Sequence, residues 1–412
     1  MNTAHQTRFL SQETMPKRQE LRYRQRTGAA EGREHMPPIH ILMKPASGLC
    51  NMRCSYCFYA DEMENRSQAS YGIMSEETLE NVIRKVLDYA EGSCTIAFQG
   101  GEPTLAGLDF YRKCLELEEK HNRKKIAIDH ALQTNGYLLD EQWCRFFAEN
   151  RFLVGLSVDG IKATHDAFRR DAEGRETYFH TLKAAELLRK AGAQFNVLTV
   201  VNGKTAPKIG RIYENYRKLG FQWQQYIACL DPVWEKRGEQ EYSLTPRAYG
   251  QFLVDLFELW YLDLRRGQQP YIRQFENYVG ILMGQAPESC EQRGVCSFQN
   301  VVEADGSVYP CDFYCMDEYR LGNLNEDSFE CMTERLMESG FLQTSAEQAK
   351  QCRACAYFGI CRGGCRRHRE QKIGERSGAG YGENYFCEAY RMFFAACLSR
   401  LREIAAACRV RR

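Results

Sequence analysis

From Ile39 onward, short apolar runs alternate with longer stretches in which apolar residues recur at helical spacing. The short runs are Ile39–Met43, Thr95–Phe98, Ile126–Leu132, Phe152–Val158, Phe195–Val201 and Gln222–Ile227, each of a length that suits a buried strand. Between them Ser75–Ala90, Leu108–His121, Asp140–Glu149, Thr177–Ala191 and Ala206–Leu219 read as amphipathic helices. Ser75 and Asp140 stand where N-caps are needed, and Gly192 and Gly220 where helices stop. Such alternation calls for parallel strands joined by right-handed crossovers, an α/β fold. Six strands fit a partial (β/α)6 barrel of TIM type better than a complete eightfold one.

On either side of this region, 37–232, the pattern changes. Residues 1–36 are polar, rich in Arg and Gln and without periodicity, which predicts a mobile N-terminal extension. Residues 233–285 predict a mostly helical connector, notably Arg247–Leu264. From Cys290 the alternation stops. Val301–Ala304 and Ser307–Tyr309, separated by Asp305–Gly306, predict a tight hairpin. The span 286–390 is otherwise irregular, cysteine-studded and rich in Gly and Arg, so it needs an internal staple. A helix over Cys387–Ala406 and a basic tail, Arg409–Arg412, close the chain, with 391–412 as a last segment.

Charge and composition narrow the classes. In 412 residues, 55 Lys and Arg face 54 Asp and Glu, a balance that argues against a nucleic-acid binder driven by global electrostatics. No apolar run approaches the ~20 residues of a spanning helix, and the first 35 residues lack the apolar core of a secretory signal. The expectation is a cytoplasmic protein without nucleic-acid or membrane partners. Nineteen cysteines in a reducing compartment point to metal binding or redox work rather than to disulfides.

Cys50, Cys54 and Cys57 form C-x3-C-x2-C in the loop after the first strand. Three thiolates on one short loop can hold three corners of a cubane iron–sulfur cluster and leave one iron open to a small molecule. A zinc site borrowing a remote ligand, or three unrelated buried thiols, are the alternatives. With Tyr56 between the last two cysteines, this motif resembles that of the radical S-adenosylmethionine (SAM) superfamily. Gln99–Pro103 (QGGEP) resembles that superfamily's GGEP element. Its glycines would let backbone approach a ligand, and Glu102 could receive an ammonium group. Gln133–Gly136 (QTNG) and Ser157–Gly160 (SVDG) likewise follow strands, as an active-site rim requires.

The second half carries Cys290, Cys296, Cys311, Cys352, Cys355, Cys361, Cys365 and Cys387. These eight would make two four-thiolate sites of either zinc or iron–sulfur type. Beside a radical SAM loop they resemble a SPASM domain. The whole of Ile39–Arg402 resembles the anaerobic sulfatase-maturating enzymes, in stretches such as CNMRCSYCFYADE, AFQGGEPTLAG, VVEADGSVYPCDFY and CRGGCRRHRE. The resemblance implies three 4Fe-4S clusters, on Cys50/Cys54/Cys57, on Cys290/Cys296/Cys311/Cys365 and on Cys352/Cys355/Cys361/Cys387. It implies SAM contacts at Tyr56, Gly101, Ser157, Arg169 and Leu230.

That resemblance further implies oxidation of a cysteine or serine in a sulfatase polypeptide, within a C/S-x-P/A-x-R segment, to formylglycine. SAM cleavage would supply a radical that takes hydrogen from the substrate Cβ, and the second electron would leave through the auxiliary clusters. Asp312, directly after Cys311, matches the family's general-base position. A low-potential donor such as flavodoxin or ferredoxin is implied as well. Two rivals stand beside this reading: another SPASM enzyme that forms thioethers, epimers or crosslinks in peptides, and a non-enzymatic zinc scaffold. Eight cysteines remain outside the three sets. Of these Cys315, four residues after Cys311, is the one to watch.

Overall fold

A computed structural model describes residues 39–370 and 382–410. The predicted N-terminal extension therefore lies outside the described residues, as does the end of the basic tail. Ten strands occur among the described residues: β1 Ile39–Met43, β2 Ser93–Phe98, β3 Ala127–Thr134, β4 Leu153–Ser157, β5 Gln194–Val201, β6 Trp223–Ala228, β7 Tyr271–Ile272, β8 Val301–Val302, β9 Ser307–Tyr309 and β10 Gly322–Asn323. The main helices are α1 Phe58–Glu64, α2 Glu76–Tyr89, α3 Leu108–His121, α4 Glu141–Glu149, α5 Lys162–Phe168, α6 Tyr178–Ala191, α7 Ile209–Lys218, α8 Pro246–Arg266, α9 Arg273–Leu282 and α10 Cys387–Val410. No helix among the described residues is long and apolar enough to cross a membrane.

The predicted stops and starts carry the expected chemistry. Ser75 accepts a hydrogen bond from the Thr78 N–H at 3.1 Å, and Asp140 from the Trp143 N–H at 2.9 Å. Each satisfies a donor that the first helical turn leaves free. Gly192 ends α6 in the left-handed region, φ 74°, where a side chain would be strained.

Strands β1 to β6 run parallel and in sequence order, which is the predicted partial barrel. The run stays open because its edge strands pair outward, β6 with β7 and β1 with β8. The second pairing was not legible in the sequence. Leu42 and Met43 lie in parallel register with Val301 and Val302, so the cysteine-rich region continues the barrel's own sheet.

The hairpin is real but not a two-residue turn. Val301 pairs with Tyr309 and Val302 with Val308, while the Gly306 N–H closes a turn on the Glu303 carbonyl at 2.9 Å. Gly306 alone in that turn has positive φ, 87°. Asp305 instead accepts from the Ser307 N–H at 3.0 Å.

Helix α10 packs along α8 and α9. Phe393 meets Phe257 and Phe275 with ring centroids 5.9 and 5.7 Å apart, and Arg400 pairs with Glu258. Helix α10 is thus clamped to the predicted connector, and Cys387 stands in the first turn of this long anchored helix.

Candidate active site

The cysteine loop leaves β1 and is tied down mainly by backbone bonds to the segment after α5. The Arg53 N–H donates to Arg170 O at 2.8 Å, the Ser55 N–H to Phe168 O at 3.0 Å, and the Ala172 N–H to Asn51 O at 3.1 Å. Cys57 is the N-cap residue of α1. All three thiols are free, with Cys50 exposed and Cys54 and Cys57 half-buried. Burial pushes the Cys54 thiol up to about 12; Arg169 opposes the shift, and Cys57 and Cys50 add to it. The three sulfurs therefore feel one another without being bonded. This donor set fits an iron–sulfur cluster, whose metal would stabilise the thiolates that burial disfavours. Among the described residues, no three His, Cys, Asp or Glu side chains gather to hold a single metal ion.

The glycine motif after β2 closes on this loop. A Cβ at Gly101 would stand 2.2 Å from the Leu49 carbonyl oxygen, and the Glu102 N–H donates to that same oxygen at 2.8 Å. Glu102 is buried, and its side chain is heavily committed. Oε1 accepts from the Thr104 N–H at 3.1 Å, from its hydroxyl at 2.6 Å and from the Thr134 hydroxyl at 2.7 Å; Oε2 accepts from the Asn135 N–H at 2.8 Å. The carboxylate ties the loops after β2 and β3 together, a task its motif did not reveal.

Tyr56 and Arg169 come together beneath the cysteine loop. Arg169 Nη1 donates to the Tyr56 hydroxyl at 3.2 Å, and that hydroxyl donates to Asp159. Arg169 is buried with no acceptor for Nε among the described residues, which leaves it a donor to offer an anionic ligand. Asp159, absent from the predicted set, lies inside the SVDG stretch. Its other oxygen accepts from the Val200 N–H at 2.9 Å, so this rim loop joins the cysteine loop to β5. Ser157, at the end of β4, accepts from Gln133 Nε2 at 2.8 Å. Leu230 is half-buried just beyond β6, away from these contacts in the sequence, with its carbonyl receiving the Cys229 thiol at 3.7 Å.

Asp312 sits after β9, one strand beyond the β1–β8 seam. Its Oδ2 accepts from the Tyr59 hydroxyl at 2.5 Å and from Gln99 Nε2 at 3.0 Å, and Lys44 Nζ stands 3.5 Å from Oδ1. Burial raises its pKa while Lys44 and Tyr59 pull it down. Tyr59 and Gln99 belong to motifs already quoted, CFY and QGGEP, but nothing local says that they meet a carboxylate 253 and 213 residues away.

The C-terminal thiols sort into two neighbourhoods. Burial holds the Cys311 thiol well above its ordinary value, with Cys296, Cys290 and Cys365 adding to the shift. Burial likewise pushes Cys387 up to about 12, with Glu383, Cys361 and Cys352 adding. For Cys361, at about 11 through burial, Cys352 and Cys355 contribute. Cys365 thus keeps company with Cys290 and Cys296 rather than with its sequence neighbour Cys361. Between the two groups runs an arginine-rich turn that is buried. Arg366 pairs with Glu370 at 2.7 Å, and Arg369 donates to the carbonyls of Glu347 and Ser345 at 2.6 and 2.5 Å.

A family profile described as the Radical SAM superfamily matches residues 45–215, and one for an iron–sulfur cluster-binding domain, SPASM, matches 290–356. The fold and these sites define a radical SAM enzyme with an auxiliary iron–sulfur domain. The cysteine-type anaerobic sulfatase-maturating enzyme of Clostridium perfringens is 44% identical over 370 residues, 90% of this chain and 99% of that one. The serine-type enzyme of Klebsiella aerogenes is 32% identical over 385 residues, 93% of this chain and 90% of that one. A solved structure described as native anSMEcpe with bound AdoMet and Cp18Cys peptide superposes with a TM-score of 0.85 at 43% identity, covering 90% of this chain and all of that one. The chain belongs to the anaerobic sulfatase-maturating enzymes.

Proposed function

We propose that this protein oxidises the side chain of a cysteine in a sulfatase polypeptide to formylglycine, with Asp312 as the base that receives the substrate thiol proton. The observation that supports the base assignment is that Tyr59, on the helix that follows the cysteine loop, Gln99 after β2 and Lys44 after β1 all address the one Asp312 carboxylate. Cysteine is favoured over serine by the higher identity to the cysteine-type relative.

When bound, SAM and a reduced cluster on Cys50, Cys54 and Cys57 supply a hydrogen-abstracting radical, and auxiliary clusters supply an electron acceptor. The chain's own residues do the rest. Arg169 is a carboxylate partner for SAM, with Tyr56 and Asp159 fixing its orientation. Gly101 lets backbone approach the ligand where a side chain would collide with Leu49. Ser157 and Leu230 line the rim at the ends of β4 and β6. Glu102 serves by holding the rim loops together. Asp312 takes the substrate thiol proton at its carboxylate, and Tyr59 and Gln99 hold that carboxylate toward the barrel. The two-electron oxidation leaves a thioaldehyde, which water hydrolyses to formylglycine with release of hydrogen sulfide. Cys290, Cys296, Cys311 and Cys365 would ligate one auxiliary cluster and Cys352, Cys355, Cys361 and Cys387 the other, with a low-potential protein donor delivering electrons.

The interleaved sets act as a staple, since ligation energy is folding energy in an irregular domain. Under anaerobic conditions Cys352→Ala and Cys365→Ala are expected to lower the melting temperature and the soluble yield more than Cys50→Ala does. Equal melting temperatures for all three would contradict this.

Anaerobic turnover of two synthetic peptides, C-x-P-x-R and S-x-P-x-R, read by mass spectrometry, tests the activity. Formylglycine is expected from the first peptide at the higher rate. A thioether or an epimer with no aldehyde would overturn the reading in favour of another peptide modification, and a serine preference would overturn the cysteine assignment.

A further inference from the structure

Lys44 follows β1 immediately and is buried, with its side chain 2% exposed. Its N–H donates to the Val302 carbonyl at 2.8 Å, across the seam between β1 and β8. Its stem lies against Gly100, where an added Cβ would stand 2.6 Å from Lys44 Cγ. Its ammonium sits 4.4 Å above the Tyr59 ring and donates to Cys315 Sγ at 3.2 Å. Three carboxylates surround it: Asp312 at 3.5 Å, Glu62 at 3.7 Å and Glu303 at 3.8 Å. Arg66 serves Glu303 more closely, at 2.7 Å. Glu62, on the helix that begins at the cysteine loop, is buried with neither oxygen hydrogen-bonded among the described residues.

A buried ammonium is tolerated only where opposite charge and good geometry compensate its lost hydration. Three segments supply that compensation here: α1 with Glu62, the end of β8 with Glu303, and the loop that carries Asp312 and Cys315. The two hydrogen bonds to Asp312 from Tyr59 and Gln99 both fall on Oδ2. A carboxylate held by one oxygen can still swing about that point. Its Oδ1 has no hydrogen-bond donor among the described residues, and Lys44 is the cation that faces it.

We propose that Lys44 is the positioning residue for Asp312, drawing Oδ1 toward the end of β1 and so fixing a carboxylate of the auxiliary region against the barrel's reaction chamber. The inference rests on the reading of Asp312 as the base. Cys315 belongs to the same device: its thiol occupies one direction of the ammonium, which sets where the remaining protons point.

The test is a double-mutant cycle on the iron-loaded enzyme with Lys44→Met, Asp312→Asn and the pair. Each protein is read for formylglycine formed per SAM cleaved, for iron content and for melting temperature. Lys44→Met is expected to keep its iron and its SAM cleavage and to lose about 100-fold in formylglycine per SAM cleaved, the scale of a reacting group misplaced by about 1 Å. The pair is expected to be no worse than Asp312→Asn alone, because residues that act through one another do not add. Unchanged product per SAM in Lys44→Met, or losses that multiply in the pair, would overturn the proposal. Asp312→Asn separates the two readings. If that variant alone is fully active, the base assignment fails, and any loss from Lys44→Met then has another origin. Should Lys44→Met lose its iron, Gly100→Ala takes its place, since it keeps the charge and displaces the stem. The same loss and the same lack of additivity are expected there, and a fully coupled Gly100→Ala enzyme overturns the proposal.

Discussion

Replacing Cys50, Cys54 and Cys57 together with Ala is expected to remove one four-iron cluster's worth of iron and to abolish SAM cleavage altogether. The loop that carries them has no other thiol, so no neighbour can substitute as a ligand. The fold should survive. The loop is held by backbone bonds to Arg170, Phe168 and Ala172 and by the Leu49 carbonyl against Glu102, none of which uses a cysteine side chain. The eight C-terminal thiols lie in separate neighbourhoods and keep their own iron. Iron and acid-labile sulfide on the anaerobically reconstituted variant, with 5′-deoxyadenosine as the cleavage readout, decide the matter. Full iron content in the triple variant would refute the assignment.

Asp312→Asn is expected to reduce formylglycine formation roughly 10²–10⁴-fold while SAM cleavage by dithionite-reduced enzyme persists. Asparagine keeps the shape but has neither the charge that answers Lys44 nor a second acceptor oxygen for the substrate proton. SAM cleavage draws on the Cys50, Cys54 and Cys57 loop and on Arg169, whereas Asp312 is held by Tyr59, Gln99 and Lys44. The adjacent Cys311 is the confounder, since a disturbed cluster would mimic a lost base. Iron is therefore measured on the same preparation. An Asn variant that retains its iron and makes formylglycine at the wild-type rate would remove Asp312 from the mechanism.

Much of this site was readable one residue at a time. The C-x3-C-x2-C spacing survives as a loop, because three close cysteines and their loop are local facts. Ser75, Asp140 and Gly192 cap helices where the sequence placed them, since a cap involves only residues three or four positions apart. Tyr59, Gln99 and Asp159 lay inside quoted motifs without a visible role. Each acquires one from a partner on another element, and Tyr56 meets Asp159 only because β4 ends beside the cysteine loop. Glu102 shows the converse case: its motif suggested a ligand contact, and the fold gives both its oxygens to Thr104, Thr134 and Asn135.

By itself, the sequence determined the six parallel strands with their helices, the C-x3-C-x2-C loop by its spacing, and the class of chemistry that such thiols support; the division of the eight later thiols into two sets came from the family resemblance. Apolar periodicity and ligand spacing are written over short stretches of chain and need no fold to be read. Only the tertiary structure decided that β8 pairs with β1 and that Arg366, Arg369 and Lys44 are buried. Charged residues look like surface until a partner compensates them. Arg366 finds its partner Glu370 four residues on, but Lys44 meets Cys315, 271 residues away in sequence. Contacts of that range have no local signature, because they arise when two sheet edges meet.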